Sequence, residues 1–247
     1  METLLPNLPE NYRAAVFGAS GGIGQALVQQ LAADPRCAQV WAGSRKGPAS
    51  GGKTHGFAFD LTDEASVARA AARIGADGPV HLVIIATGVL HGEDFGPERS
   101  WRELDAQTMA NVLALNTIGP ALVAKHMLDL MPRDAAAIFA ALSARVGSIG
   151  DNRLGGWHSY RASKAALNML VRNFAIELGR KRKQAICVGL HPGTVDTGLS
   201  EPFQRGVPDG KLFTPGYSAQ KLLGVLGGLI PQQSGFSYAW DGRCIEW

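Results

Sequence analysis

The chain has 247 residues, 46% hydrophobic and 18% charged, with a formal net charge of +3. That length suits a single α/β domain over residues 1–247, and the balance excludes a disordered chain or a strongly charged polyanion binder. Cys37, Cys187 and Cys244 are widely separated and without metal-ligand spacing, so neither a disulfide framework nor a metal site is expected.

Short apolar runs alternate with helical patterns along the whole chain. Strands are expected at residues 13–17, 39–42, 56–59, 81–86, 136–142, 184–190 and 236–240, and helices at 23–33, 63–74, 104–130, 159–180 and 215–229. This βαβ rhythm predicts a doubly wound, Rossmann-type parallel sheet of about seven strands. The strand runs are apolar throughout, so helices should cover both faces. Residues 47–52 read as a surface loop. The irregular segment 200–214, with Pro202, Gly206, Pro208 and Gly210, follows a strand end and reads as a covering segment over a ligand site. The basic run 180–183 ends a helical pattern, where cations complement the helix dipole, and no aromatic residues interleave with it; no nucleic-acid partner is expected. The opening residues carry Pro6 and Pro9 and no cationic segment leading into an apolar run. The apolar stretch 80–89 is far shorter than the ~20 residues of a membrane span. The expectation is a cytoplasmic protein without membrane segments.

Three groups of residues carry chemistry. Gly18-Ala19-Ser20-Gly21-Gly22-Ile23-Gly24 lies between the first strand and the first helix, where glycines close a tight turn and let backbone N–H groups reach a pyrophosphate. Tyr160 and Lys164 stand four apart on one helix face. A lysine cation near a phenol favours the phenolate, bringing an acid/base group toward its working range. Asn116 lies four residues before Pro120, which has no N–H, so the Asn116 carbonyl loses its helical partner and is free to hold a water.

Together these segments resemble the short-chain dehydrogenase/reductase family nearly end to end: the GxxxGxG turn, Ser159-Tyr160-Arg161-Ala162-Ser163-Lys164 for its YxxSK, and Pro192-Gly193-Thr194-Val195-Asp196-Thr197 for its PGxVxT segment. The stretch from Asn116 to Pro120, the segment Gly147-Ser148-Ile149 and the ending from Trp240 to Trp247 resemble the branch of C-factor-like proteins and insect-type carbonyl reductases.

The resemblance implies a nicotinamide cofactor held by Gly18, Ser20, Gly22, Ile23 and Gly24, by Asp60 and Leu61 at the third strand end, and by Ala86, Thr87 and Gly88 at the fourth. Pro192, Gly193, Val195 and Thr197 would hold the nicotinamide end. Asp60 also suits a cap for the following helix. After the second strand the acidic residue common with NAD is missing, and Ser44 and Arg45 stand there. Arg45 suits a 2′-phosphate, so NADP(H) is favoured and NAD(H) remains possible. Catalysis would fall to Tyr160 as acid/base, Lys164 and Asn116 as proton relay, and a serine near the fifth strand end. That serine is out of register: counting back from Gly147 gives Ala144, with Ser143 one place early and Ser148 beyond. Ser143 is expected to serve, with Ser148 as fallback, provided the strand ends or bulges before it. The implied reaction transfers hydride between NADP(H) and a small-molecule carbonyl/alcohol pair. The alternative is a nucleotide-binding signalling or regulatory protein with weak turnover. A homodimer or homotetramer is implied by the helices 104–130 and 159–180.

Overall fold

The first strand shows how the layers arise. In the computed structural model, which describes residues 4–48 and 50–247, β1 (Tyr12–Phe17) is buried at every position. Alternation along it sends Ala15 and Phe17 into one core and Ala14 and Val16 into another. The remaining elements in chain order are α1 (Gly22–Ala33), β2 (Cys37–Ser44), β3 (Thr54–Ala58), α2 (Glu64–Gly75), β4 (Leu82–Ile85), α3 (Ala106–Leu113), α4 (Gly119–Met127), β5 (Ala137–Leu142), α5 (His158–Lys181) and β6 (Ala185–His191). They are followed by β7 (Thr194–Val195), β8 (Leu212–Phe213), α6 (Pro215–Gly228), β9 (Ser237–Ala239) and β10 (Cys244–Ile245).

The main sheet runs β3-β2-β1-β4-β5-β6-β9-β10. Every neighbouring pair in it is parallel except β9 and β10. It has eight strands against the expected seven or so, because β10 is a two-residue edge strand too short to show alternation. One face packs on α2, α4 and α5 through Phe17, Phe57, Val67, Met127, Phe139 and Leu167. The other packs on α1 and α6 through Leu27, Leu31, Ile84, Ile138, Leu222 and Leu226. Strand order reverses between β1 and β4, which places the ligand crevice at their carboxyl ends.

The single helix expected over residues 104–130 is broken. Asp105 caps α3 by accepting from the Thr108 N–H at 2.7 Å, and residues Ala114–Ile118 form a π turn before α4 resumes. A local cause is Pro120, which has no N–H to give. Gly119 beside it packs so close to Leu61 that a Cβ would collide with its side chain. Of the basic run, Arg182 is buried and donates to the Met131 and Asp129 carbonyls, a structural use of that charge. In the loop 47–52, Ala49 lies outside the described residues and the others are half-buried or exposed. Among the described residues no helix is long and apolar enough to cross a membrane, and no cluster could hold a metal ion.

Candidate active site

Gly18 turns the chain out of β1 with φ +98°, and a Cβ there would sit 2.9 Å from the Ala86 carbonyl oxygen. Only glycine closes the turn against β4 in this way. A Cβ on Gly24 would run into the Gly18 carbonyl, so that glycine lets α1 start immediately behind the turn. The N-cap, Gly21, offers no side-chain hydrogen bond, which leaves the first-turn N–H groups and the positive helix end to face the crevice.

Two hollows of about 360 and 320 Å³ meet over this turn and share Gly21, Ala86, Thr87 and Gly88. Both lie within the usual size range of ligand pockets. The first is lined by Gly18, Ser20, Ser44, Arg45, Asp60 and Leu61. The second runs past Gly22 and Ile23 to Ser143, Tyr160, Lys164, Pro192 and Thr197. Thus most residues singled out from the sequence line one continuous groove. Gly24, Asn116, Gly193 and Val195 do not, and Asn116 is fully buried behind it. Gly24 packs beneath the turn, Gly193 has φ +80° and lies against Phe213 and Trp240, and Val195 is buried in the β7–β8 pair. Asp63, and not Asp60, caps α2 by accepting from the Ala65 N–H at 2.9 Å. Asp60 instead accepts from the Thr62 hydroxyl and N–H, which with nearby Arg45 hold its carboxyl below the usual range.

The catalytic candidates converge at the inner end of the groove. Tyr160 and Lys164 are buried on α5, with Lys164 Nζ 5.7 Å from the tyrosine ring centre. That ammonium donates to the Leu142 carbonyl at 2.8 Å. A Cβ on Gly88 would lie 3.5 Å from both Lys164 Nζ and Asn116 Oδ1, so the lysine and the asparagine approach this glycine together. Asn116 is fully buried on the π turn; its side chain accepts from the Val89 N–H and donates to the Val89 carbonyl and to Ser163 Oγ. Burial lowers Lys164 to about 8 and pushes the Tyr160 phenol up to about 12. The sequence predicts a lysine that lowers the phenol, whereas burial raises it here.

β5 ends at Leu142, as a role for Ser143 requires. The Ser143 hydroxyl, however, donates to Asn168 Oδ1 at 2.7 Å, and Ser237 donates to the same oxygen at 3.0 Å. Ser148 is also buried, and its hydroxyl accepts from the Asp151 N–H at 3.0 Å. The Ser143 hydroxyl hydrogen is thus committed to Asn168, and Ser148 is not among the residues that line the groove. Ser163, the serine of the YxxSK run, braces Asn116. One residue escaped the sequence reading: Glu98, from the loop after β4, reaches the first turn of α5, and it carries no spacing signal because its partner lies 61 residues away.

The groove fits a nicotinamide dinucleotide on this chain's own features: an uncapped helix start, a glycine turn without room for a Cβ, and a buried Thr87 hydroxyl that has no protein partner among the described residues. A nucleotide crevice leading into a buried tyrosine–lysine pair defines an NAD(P)-dependent oxidoreductase. The short chain dehydrogenase family profile matches residues 13–207, and the chain belongs to that family. Among curated relatives it is 31% identical to 1-hydroxy-2-glutathionyl-2-methyl-3-butene dehydrogenase of Rhodococcus sp. (strain AD45), over 94% of this chain and 98% of the relative. It is 34% identical to the C-signal protein of Myxococcus xanthus over 69% of this chain and 94% of that protein. The NADPH-bound carbonyl reductase from chicken fatty liver superposes with a TM-score of 0.82 at 29% identity, covering 97% of this chain and all of the other.

Proposed function

We propose that the protein is an NADP(H)-dependent reductase of small-molecule ketones or aldehydes, with Tyr160 as the proton donor. The observation that carries this reading is the Tyr160 phenol, buried and lining the same groove as Lys164 and the glycine turn. Once bound, the nicotinamide supplies the hydride; the protein positions and protonates. Arg45 and Ser44 stand at the end of β2 with no carboxylate beside them in that loop, which favours a 2′-phosphate. Gly18, Ser20, Gly22 and Ile23 would hold the pyrophosphate, Asp60 and Leu61 the adenine, Ala86, Thr87 and Gly88 the ribose, and Pro192 and Thr197 the nicotinamide amide. Gly24, Gly193 and Val195 support these from behind.

The Tyr160 proton would pass to the substrate oxygen and be replaced through Lys164 and a water on the Asn116 carbonyl, to which Pro120, four residues on, has no N–H to offer. The segment 200–214, a 3₁₀ helix at Glu201–Gly206 followed by β8, would cover the substrate. Titration of the purified protein with NADPH and NADH, followed by a panel of aldehydes, ketones, diketones and quinones, tests the reading; tighter NADPH binding and turnover of at least one carbonyl are expected.

The outer face of α4 and α5 forms a hollow of about 640 Å³ lined by Ile118, Leu122, Leu170 and Phe174, with Met169 and Ile176 exposed nearby. Such a patch supports a homodimer or homotetramer built on these helices in a cytoplasmic enzyme. Light scattering at micromolar concentration tests it. One observation favours a second reading, a signalling or regulatory protein with weak turnover: Ala144 stands where the family's serine belongs. Absence of turnover across the panel with NADPH binding retained would support that alternative.

A further inference from the structure

The entry into α5 has an unusual backbone. Gly155 and Gly156 have φ of +63° and +65°, and Trp157 follows with φ 50° and ψ 42°. Glycine adopts this region freely; a bulky aromatic does so only when its surroundings hold it there. Trp157 is the N-cap of α5 but gives no side-chain cap.

What holds this turn is Glu98. Its backbone carbonyl accepts the Trp157 N–H at 2.5 Å. Its carboxylate accepts the Ser159 N–H at 3.1 Å and the Ser159 hydroxyl. The carboxylate therefore supplies the cap that Trp157 lacks, at the helix end where negative charge is favoured. Glu98 is only 4% exposed. Burial pushes its carboxyl up, but the Ser159 hydrogen bonds outweigh this and hold it below the usual range, so it stays ionised. The next residue after Ser159 is Tyr160. The Trp157 ring meets the Tyr160 ring edge-on at 6.3 Å and the Phe203 ring at 5.2 Å, and Phe203 meets His91 at 5.9 Å.

We infer that Glu98 is a positioning residue: by gripping Trp157 and Ser159 it fixes the Tyr160 phenol, and the aromatic wall beside it, in the geometry that proton transfer needs. The inference rests on the reading of Tyr160 as the acid. A displacement of about 1 Å at such a group can cost ~10²-fold in rate.

The test separates reach from charge. Glu98→Asp keeps the charge but is one methylene short, whereas Glu98→Gln keeps the reach and an acceptor oxygen. NADPH affinity, kcat for the best carbonyl and Tm are measured for both, with Glu98→Ala and Tyr160→Phe alongside. Glu98→Ala and Glu98→Asp should lose at least about tenfold in kcat with NADPH Kd within about twofold of wild type, and Glu98→Gln should recover most of the rate. If Glu98→Ala does not fold, the Asp and Gln pair carries the test. Wild-type kcat in Glu98→Asp, or a parallel loss of kcat and NADPH affinity without recovery in Glu98→Gln, overturns the inference. An inactive Tyr160→Phe beside fully active Glu98 variants would sink this inference alone. An active Tyr160→Phe would sink the reading of the acid itself.

Discussion

Replacing Ser143 by alanine separates two roles by their size. In the structure its hydroxyl is a buried donor to Asn168 Oδ1 at 2.7 Å, and Ser237 remains on that oxygen after the change. The loss is thus one buried hydrogen bond with no acceptor left bare, about 1 kcal/mol. For a domain of this size that is a fall in Tm of ~2–4 °C. A hydroxyl that held the reacting oxygen would instead cost ~10²- to 10³-fold in kcat and little stability. Thermal unfolding and steady-state reduction on one preparation give both numbers. The account predicts the lowered Tm with kcat within about threefold of wild type. A hundredfold loss of rate at unchanged Tm would refute the structural role and restore the substrate contact expected from the sequence.

Other predictions concern the groove and its charges. Arg45→Ala should weaken NADPH binding by about 10- to 100-fold, the worth of a charge-assisted hydrogen bond, and leave NADH within about twofold by titration calorimetry. Lys164 falls from 10.5 to about 8 on burial. Below pH 8 the folded state must therefore hold a proton that burial disfavours, and stability should rise as pH climbs from about 8 toward 10.5. Lys164→Met removes that cost, net of the ~1–3 kcal/mol for the Leu142 carbonyl left without its donor, so Tm at pH 7 should rise while reduction is lost. A destabilised Lys164→Met variant would contradict the buried-cation account.

The sheet and its helices were readable because their signals are local. Apolar runs such as residues 13–17 and 136–142 become strands covered on both faces, and along α5 Leu167, Val171 and Leu178 are buried against the sheet with Phe174 half-buried beside them. The glycine turn and the Tyr160/Lys164 pair are equally local, with partners six residues apart or fewer. Pro120, which has no N–H, marked the place near Asn116 where regular helix bonding would fail, although the π turn itself was not foreseen. Long-range choices were hidden. Nothing in the order Leu142-Ser143-Ala144 says that Asn168 and Ser237 converge on the Ser143 hydroxyl. Glu98 likewise gains its role only when the loop after β4 folds onto α5. The phenol's raised pKa depends on how completely Tyr160 is enclosed, which no spacing encodes.

The most direct test of the central claim is Tyr160→Phe, assayed for NADPH binding by titration and for carbonyl reduction by NADPH consumption. The change removes one hydroxyl and keeps the ring that packs against Trp157. The account predicts NADPH affinity within about twofold of wild type and a rate reduced at least ~10²-fold, the low end for a positioned general acid. A variant that kept more than about a tenth of the rate would show that the proton comes from elsewhere.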